Sequence, residues 1–271
     1  MRGLASGLAR APAIRDVLDM SEFNIADDWF LAAFGCEYLE IYAHRDAAAA
    51  AGEVRFAVDA LGLAPGAHVL DLCCGAGRHF RELRARALRV VGLDRSRPLL
   101  AAARRALGGG AELVEADMRR LPFASAFDAV FLFFTSFGYF RTDDDNRRVL
   151  VEIARVLRPG GALLLDIADK ASLVRGLVPA SRRELDGRVI EESRRITADG
   201  KRVEKLACMT LSDGGVKRFG ESVRLYDREE LAGEFRAAGL RLDRCYGDFD
   251  GSEQRPGISP RLIAIARRAE A

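Results

Sequence analysis

Short apolar runs alternate along the chain with segments of helical period. "VLDL" at 69–72 runs into a glycine-rich turn. "RVVGLD" at 89–94, "ELVE" at 112–115, "FDAVFLFF" at 127–134 and "ALLLDI" at 162–167 follow it. Between them lie helix-compatible stretches at 78–87, 98–107 and 144–157, the last ending at the helix stop "RPGG". Near-continuous apolar strands separated by helices predict a mainly parallel sheet buried on both faces. Right-handed crossovers make it a doubly wound, Rossmann-like α/β fold.

The period changes after Asp169. Residues 188–197, 203–211 and 216–225 read as strands, separated by "DG" at 199–200 and "SDGG" at 212–215. They predict a small antiparallel sheet inserted into the α/β domain. A helix follows with Asp227 as its cap and Glu229 and Glu230 in its first turn. Strands at 240–247 and 261–267 close the chain. The expected organisation is an N-terminal arm and helical cap over 1–64 and a ligand-binding domain of 65–180 and 226–271. The inserted sheet, over 181–225, is expected to be a lid or a dimer contact.

Composition narrows the partners. The chain has 271 residues, 49% hydrophobic and 30% charged, enough for one large core. Its formal charge is only +2 and its arginines are interleaved with acids, so no nucleic-acid partner is expected. No apolar run approaches the roughly 18 residues of a membrane span, so no membrane partner is expected. Five cysteines without a secretory segment predict free thiols and a cytoplasmic protein.

The chemistry gathers at "VLDLCCGAGRHF", residues 69–80. A strand entering a glycine turn and then a helix is a nucleotide cradle. Gly75 and Gly77 are expected to let the backbone approach a ligand that a Cβ would block, and the following helix offers free N–H groups. Phe80 occupies the place of the third glycine of a dinucleotide fingerprint, which argues against an NAD(P)-dependent oxidoreductase. Asp71 would sit awkwardly beside a pyrophosphate; it suits a ligand with a cationic amino group. Asp94, ending the second strand, can accept from two ribose hydroxyls; a helix-cap role in "DRSRP" is the alternative. Asp117 in "EADMRRLPF" can accept from an exocyclic adenine amine while the Met118 backbone holds the ring nitrogens. Adjacent Cys73 and Cys74 lack metal-site spacing, and no metal is expected.

Taken in order, "VLDLCCGAGRHF", "VVGLDRSRPLLAAAR", "VEADMRRLPF", "FDAVFLFFTSFGYF" and "LRPGGALLLDIAD" resemble the class I S-adenosylmethionine (SAM)-dependent methyltransferases, over about residues 65–170. The resemblance implies a seven-stranded sheet with an antiparallel last strand. It also implies SAM as cofactor, S-adenosylhomocysteine (SAH) as product and a small-molecule N or O nucleophile as acceptor. By that resemblance Asp71, Cys73, Gly75 and Gly77 hold the methionine moiety. Asp94 binds the ribose, Arg95 flanks the adenine, Asp117 binds its amine and Met118 packs on the ring. Phe134 and Thr135 face the methionine end and the acceptor. Cys73 departs from the glycine or alanine common at its position. The "NPPY" of many nucleic-acid N-methyltransferases is absent, which favours a small acceptor. A non-catalytic SAM-binding protein is the alternative.

Catalytic candidates are Tyr139, as orienting group or base, and Tyr42 and His44, in an aromatic segment with Trp29, Phe30, Phe34 and Tyr38. That segment reads equally as a packing helix or a cap over the pocket. Asp166, Asp169, Tyr246 and Asp248 are expected at the same sheet edge; His68 is expected to be inert and His79 to pack in the first helical turn. A homodimer is a further expectation.

Overall fold

The structure, a computed structural model, describes residues 23–35, 38, 47–185, 187–210 and 215–270. Tyr42 and His44 lie outside these residues. Among those described, α1 (Phe30–Ala33) and α2 (Ala47–Leu61) lead into the alternating unit: β1 (His68–Leu72), α3 (Arg78–Ala85), β2 (Arg89–Asp94), α4 (Arg97–Leu107), β3 (Glu112–Glu115), β4 (Phe127–Leu132), α5 (Asp143–Val156) and β5 (Leu157–Ala168). Then come α6 (Lys170–Arg175), β6 (Ala180–Leu185), β7 (Arg188–Ile196), β8 (Arg202–Thr210), β9 (Val216–Arg224), α7 (Arg228–Ala237), β10 (Leu240–Tyr246) and β11 (Arg261–Arg268).

The main sheet has seven strands in the order β10-β11-β5-β4-β1-β2-β3. β1 pairs parallel with β2 and β4, β2 with β3, and β4 with β5, while β11 runs antiparallel between β5 and β10. The strands are apolar throughout because each faces two cores. Leu70, Leu72, Val91, Leu93, Val130 and Leu132 meet Val149 and Ile153 of α5 and Leu231 and Phe235 of α7. Their neighbours Val69, Val90, Ala129 and Phe131 meet Val54 of α2, Phe80 and Leu83 of α3 and Leu107 of α4. That alternation is the period of two, masked in the sequence because both faces are covered.

Three boundaries depart from expectation. The antiparallel sheet has four strands, β6-β7-β8-β9. β6, "ASRREL", is polar and carries no apolar alternation, yet it pairs with β7 through six residues. α6 is a short helix capped by the Asp169 side chain, which accepts from Ser172 N–H at 2.8 Å. The helix before "RPGG" ends as expected, but the four residues continue as strand and not as a turn. α5 stops at Val156 and the four residues lie inside β5, where the pairing with β4 shifts register between Phe127 and Ala129. A Cβ on Gly161 would lie 2.8 Å from the Arg158 carbonyl oxygen, so the crossing needs glycine.

Candidate active site

A cavity of about 670 Å³ opens at the carboxyl ends of β1, β2 and β4. This is the edge where open α/β sheets bind ligands, and the volume suits a nucleoside-sized molecule. Cys73, Gly75, Asp94, Arg95, Asp117, Met118 and Phe134 border it, as does Tyr139. Asp71, Gly77 and Thr135 do not border it.

The turn after β1 explains the split. Cys73 has φ 63° and Gly75 φ 54°, both left-handed, and Cys74 N–H donates to the Leu93 carbonyl at 3.0 Å. The departure at Cys73 therefore carries backbone strain that glycine would avoid. Its thiol lies 3.7 Å from the Met118 sulfur. Burial, with the Asp94 and Asp71 carboxylates next, pushes the Cys73 thiol well up, and burial does the same to Cys74. Neither thiol is poised as a nucleophile. Among the described residues no group of three His, Cys, Asp or Glu side chains could hold a metal ion.

Gly77 serves packing instead of ligand approach. Its φ is 82°, and a Cβ there would lie 2.8 Å from Leu107 Cδ1 of α4. Asp71 is likewise beneath the turn and not in the cavity. It is 1% exposed, its carboxyl accepts from the Phe80 N–H in the first turn of α3, and its Oδ2 has no donor. Burial first, and the Asp94 charge second, push its pKa up to about 8. Asp71, expected to suit a cationic amino group, thus lies one layer below the cavity lining.

Asp94 anchors the turn. Its Oδ2 accepts from Gly75 N–H and its Oδ1 from Ser96 N–H, each at 2.8 Å. Ser96 itself is the cap of α4, accepting from Leu99 N–H at 3.2 Å, so the cap role belongs to the serine. Burial raises the Asp94 pKa against these N–H donors. The Arg95 N–H is a third donor to this carboxylate, which leaves acceptor capacity for one more. Asp117 is held by Arg119 through two contacts of 3.1 and 2.8 Å, with Arg95 at 3.5 Å.

The other wall is the turn after β4 with α1. Phe134 and Thr135 are left-handed, φ 63° and 59°, which is costly for a β-branched residue. Asp166 of β5 holds that kink. Its Oδ2 accepts from Phe134 N–H at 2.7 Å and its carbonyl from Thr135 N–H at 2.8 Å. Arg261 of β11 pairs with its carboxylate. Asp166 is therefore a brace, and Asp169, holding Gln254 and the Gly257 N–H, is another. Tyr246 packs on Phe56 at 4.9 Å, and neither it nor Asp248 borders the cavity.

Tyr139 lies within an aromatic group: Trp29 at 5.1 Å and Phe34 stacked at 5.6 Å. The Ser96 hydroxyl donates to the Phe34 carbonyl at 2.7 Å, fastening α1 to the cofactor-side turn. Burial, then Tyr38, pushes the Tyr139 phenol well above its usual pKa, which keeps it a protonated hydrogen-bonding group. His79 is not inert packing alone. It borders the cavity, stacks on Phe133 at 4.1 Å and contacts the Glu53 carboxylate at 2.6 Å through Nε2. Burial lowers its pKa. His79, Ser96 and Phe133 are site residues that sequence reading missed. Only Ser96 left a signal, a serine two residues before proline at a strand–helix junction.

Comparison with known proteins agrees with this geometry. A family model described as "Methyltransferase domain" matches residues 69–161. A dTDP-3-amino-3,6-dideoxy-alpha-D-glucopyranose N,N-dimethyltransferase of Streptomyces fradiae is 30% identical over 190 residues, 68% of this chain and 74% of that protein. The chain belongs to the SAM-dependent methyltransferases. A dTDP-3-amino-3,4,6-trideoxy-alpha-D-glucopyranose N,N-dimethyltransferase of Streptomyces venezuelae is 28% identical over 194 residues, 68% of this chain and 79% of that one. SAM-bound CalS10, an amino pentose methyltransferase from Micromonospora echinaspora, superposes with a TM-score of 0.57 at 27% identity, covering 83% of this chain and 91% of its own. A SAM-dependent methyltransferase from Clostridium acetobutylicum shares the fold, with TM-score 0.73 at 19% identity over 86% of this chain and 98% of that one.

This methyltransferase uses SAM, and the residues present fit it. The cavity has the size, a glycine turn at one side and a carboxylate with spare acceptor capacity at Asp94. Beneath the turn lies the unpartnered Asp71 oxygen. Among the described residues no helix is long and apolar enough to cross a membrane.

Proposed function

We propose that this methyltransferase methylates the amino group of a small acceptor, an amino sugar carried on a nucleotide. The observation that carries the reading is the wall formed by α1 and the turn after β4. Phe30, Phe34, Tyr38, Tyr139 and Phe140 border the cavity there, and the phenol of Tyr139 is held neutral. A neutral amine needs orientation and exclusion of water, which aromatic side chains supply; a hydroxyl acceptor also needs a base. The amino-sugar substrates named for the relatives support the same class.

In this reading Asp94 accepts from the ribose hydroxyls, Met118 packs on the adenine, and Asp117 with Arg95 borders its amine edge. The Cys73 to Gly75 turn lies along the methionine moiety, and the buried Asp71 carboxyl lies beneath that turn with an oxygen left to accept. Bound SAM supplies an electrophilic methyl group on a sulfonium. Phe34 and Tyr139 offer ring faces to that cation, and Tyr139 orients the acceptor.

The test is transfer of labelled methyl from SAM to dTDP-3-amino and dTDP-4-amino deoxysugars beside their hydroxyl counterparts. Label in the amino sugars is expected. Label only in the hydroxyl sugars would overturn the amine assignment and point to His79, held by Glu53, as base.

A further inference from the structure

The turn that carries Tyr139 and Phe140 is held from outside itself. Gly138 has φ 91°, and a Cβ there would lie 2.5 Å from the Arg224 carbonyl oxygen, so β9 and the turn touch backbone to backbone. Arg224 N–H donates to the Gly138 carbonyl at 2.8 Å. The Tyr139 carbonyl accepts from the Trp29 indole N–H at 3.3 Å. The Phe140 carbonyl accepts from Asn146 Nδ2 at 3.0 Å.

Arg202 of β8 reaches the same turn. Its Nη1 donates to the Phe140 carbonyl at 3.0 Å and its Nη2 to the Gly138 carbonyl at 3.3 Å. Its remaining bonds go to Ser222, from Nη2 to the carbonyl at 2.6 Å and from Nε to the hydroxyl at 2.9 Å. The residue is 9% exposed. Every hydrogen bond it makes here ends on a neutral oxygen, which is an expensive way to fill a core position. The fork geometry of a guanidinium accounts for it. One planar group can satisfy two carbonyls of the turn and two oxygens of a neighbouring strand at once.

From this geometry we infer that Arg202 is a positioning residue: from the four-stranded sheet it sets where the 138–140 turn places Tyr139 and Phe140 on the cavity. Acceptor binding, on the reading of that turn as the acceptor wall, then depends on a sheet that lies outside the cofactor half of the fold.

Trp29 is the only tryptophan and hydrogen bonds to the turn, so it reports on it without cofactor or acceptor. In Arg202→Met, checked as folded by circular dichroism, acrylamide quenching of Trp29 should rise about twofold as the turn loosens, with Arg202→Lys between it and the parent. Against a dTDP-amino sugar the KM should rise roughly tenfold or more, while SAH affinity by calorimetry stays within about threefold of the parent. Unchanged quenching in a folded variant would overturn the inference. So would equal losses of SAH and acceptor binding, which mark a general structural role. If the methionine variant does not fold, the lysine variant is read in the same way. If no dTDP-amino sugar is methylated, the acceptor proposal fails, and Trp29 quenching alone decides for Arg202.

Discussion

The Asp94 carboxylate accepts the Gly75 N–H at 2.8 Å, tying the end of β2 to the turn after β1. The same carboxylate takes the Ser96 N–H at the start of α4. One side chain thus shapes the glycine turn and borders the cavity with acceptor capacity to spare. Asp94→Ala removes both. It should weaken SAH binding by about 1–3 kcal/mol, the range for charge-assisted hydrogen bonds. Calorimetry checks this, and unchanged affinity would remove Asp94 from the cofactor site.

Asp71 makes stability depend on pH. Its folded pKa, about 8, lies above its ordinary value of 3.8. Between those values the folded protein holds a proton that the unfolded chain has released. The Asp71 contribution is therefore fully present below pH about 4, falls as pH rises, and is lost above about 8. Asp94 and Asp166 are shifted in the same direction, so the wild-type profile alone does not isolate Asp71. In urea titrations the stability of Asp71→Asn relative to wild type should increase steadily between pH 5 and 8. Parallel profiles would mean that Asp71 is ionised in the folded state.

Gly77→Ala should destabilise the fold. The new Cβ meets Leu107 Cδ1 at 2.8 Å, and the residue has φ 82°. Overpacking and left-handed strain together predict a loss of about 2–4 kcal/mol in urea unfolding. With Leu107→Ala added, the loss should be smaller than the sum of the two single losses, because the contact with the new Cβ is gone. Gly75→Ala has its nearest neighbour at 3.9 Å, so only its φ of 54° opposes the change. That variant should lose less stability and more SAH affinity.

Arg261→Met should be among the most damaging single changes outside the cavity. It leaves the Asp166 carboxylate, whose side chain is fully buried, without its cation. Breaking such a pair costs about 3–5 kcal/mol. Chemical denaturation measures it, and a loss below about 1 kcal/mol would show that the Phe134 N–H donor to the Asp166 carboxylate suffices.

The chain by itself determined the alternating unit and the cofactor edge. Apolar runs such as "VLDL" and "FDAVFLFF" can be buried only on both faces, and strands of that kind separated by helices have few ways to pack. That Asp94, Gly75, Asp117 and Met118 border one cavity was legible for the same reason: each sits at or just after a strand end, and topology brings strand ends together. β6 was not legible because it has no apolar side to show; pairing with β7 decides it. Tertiary structure alone assigned Asp71 and Gly77 to the layer beneath the turn, since one-dimensional spacing does not say which side of a turn meets ligand and which meets α3 and α4. It alone joined Glu53 to His79, Asp166 to Arg261 and Arg202 to the 138–140 turn. Those partners are far apart in sequence, and their bonds depend on the relative placement of whole elements, which local periodicity does not encode.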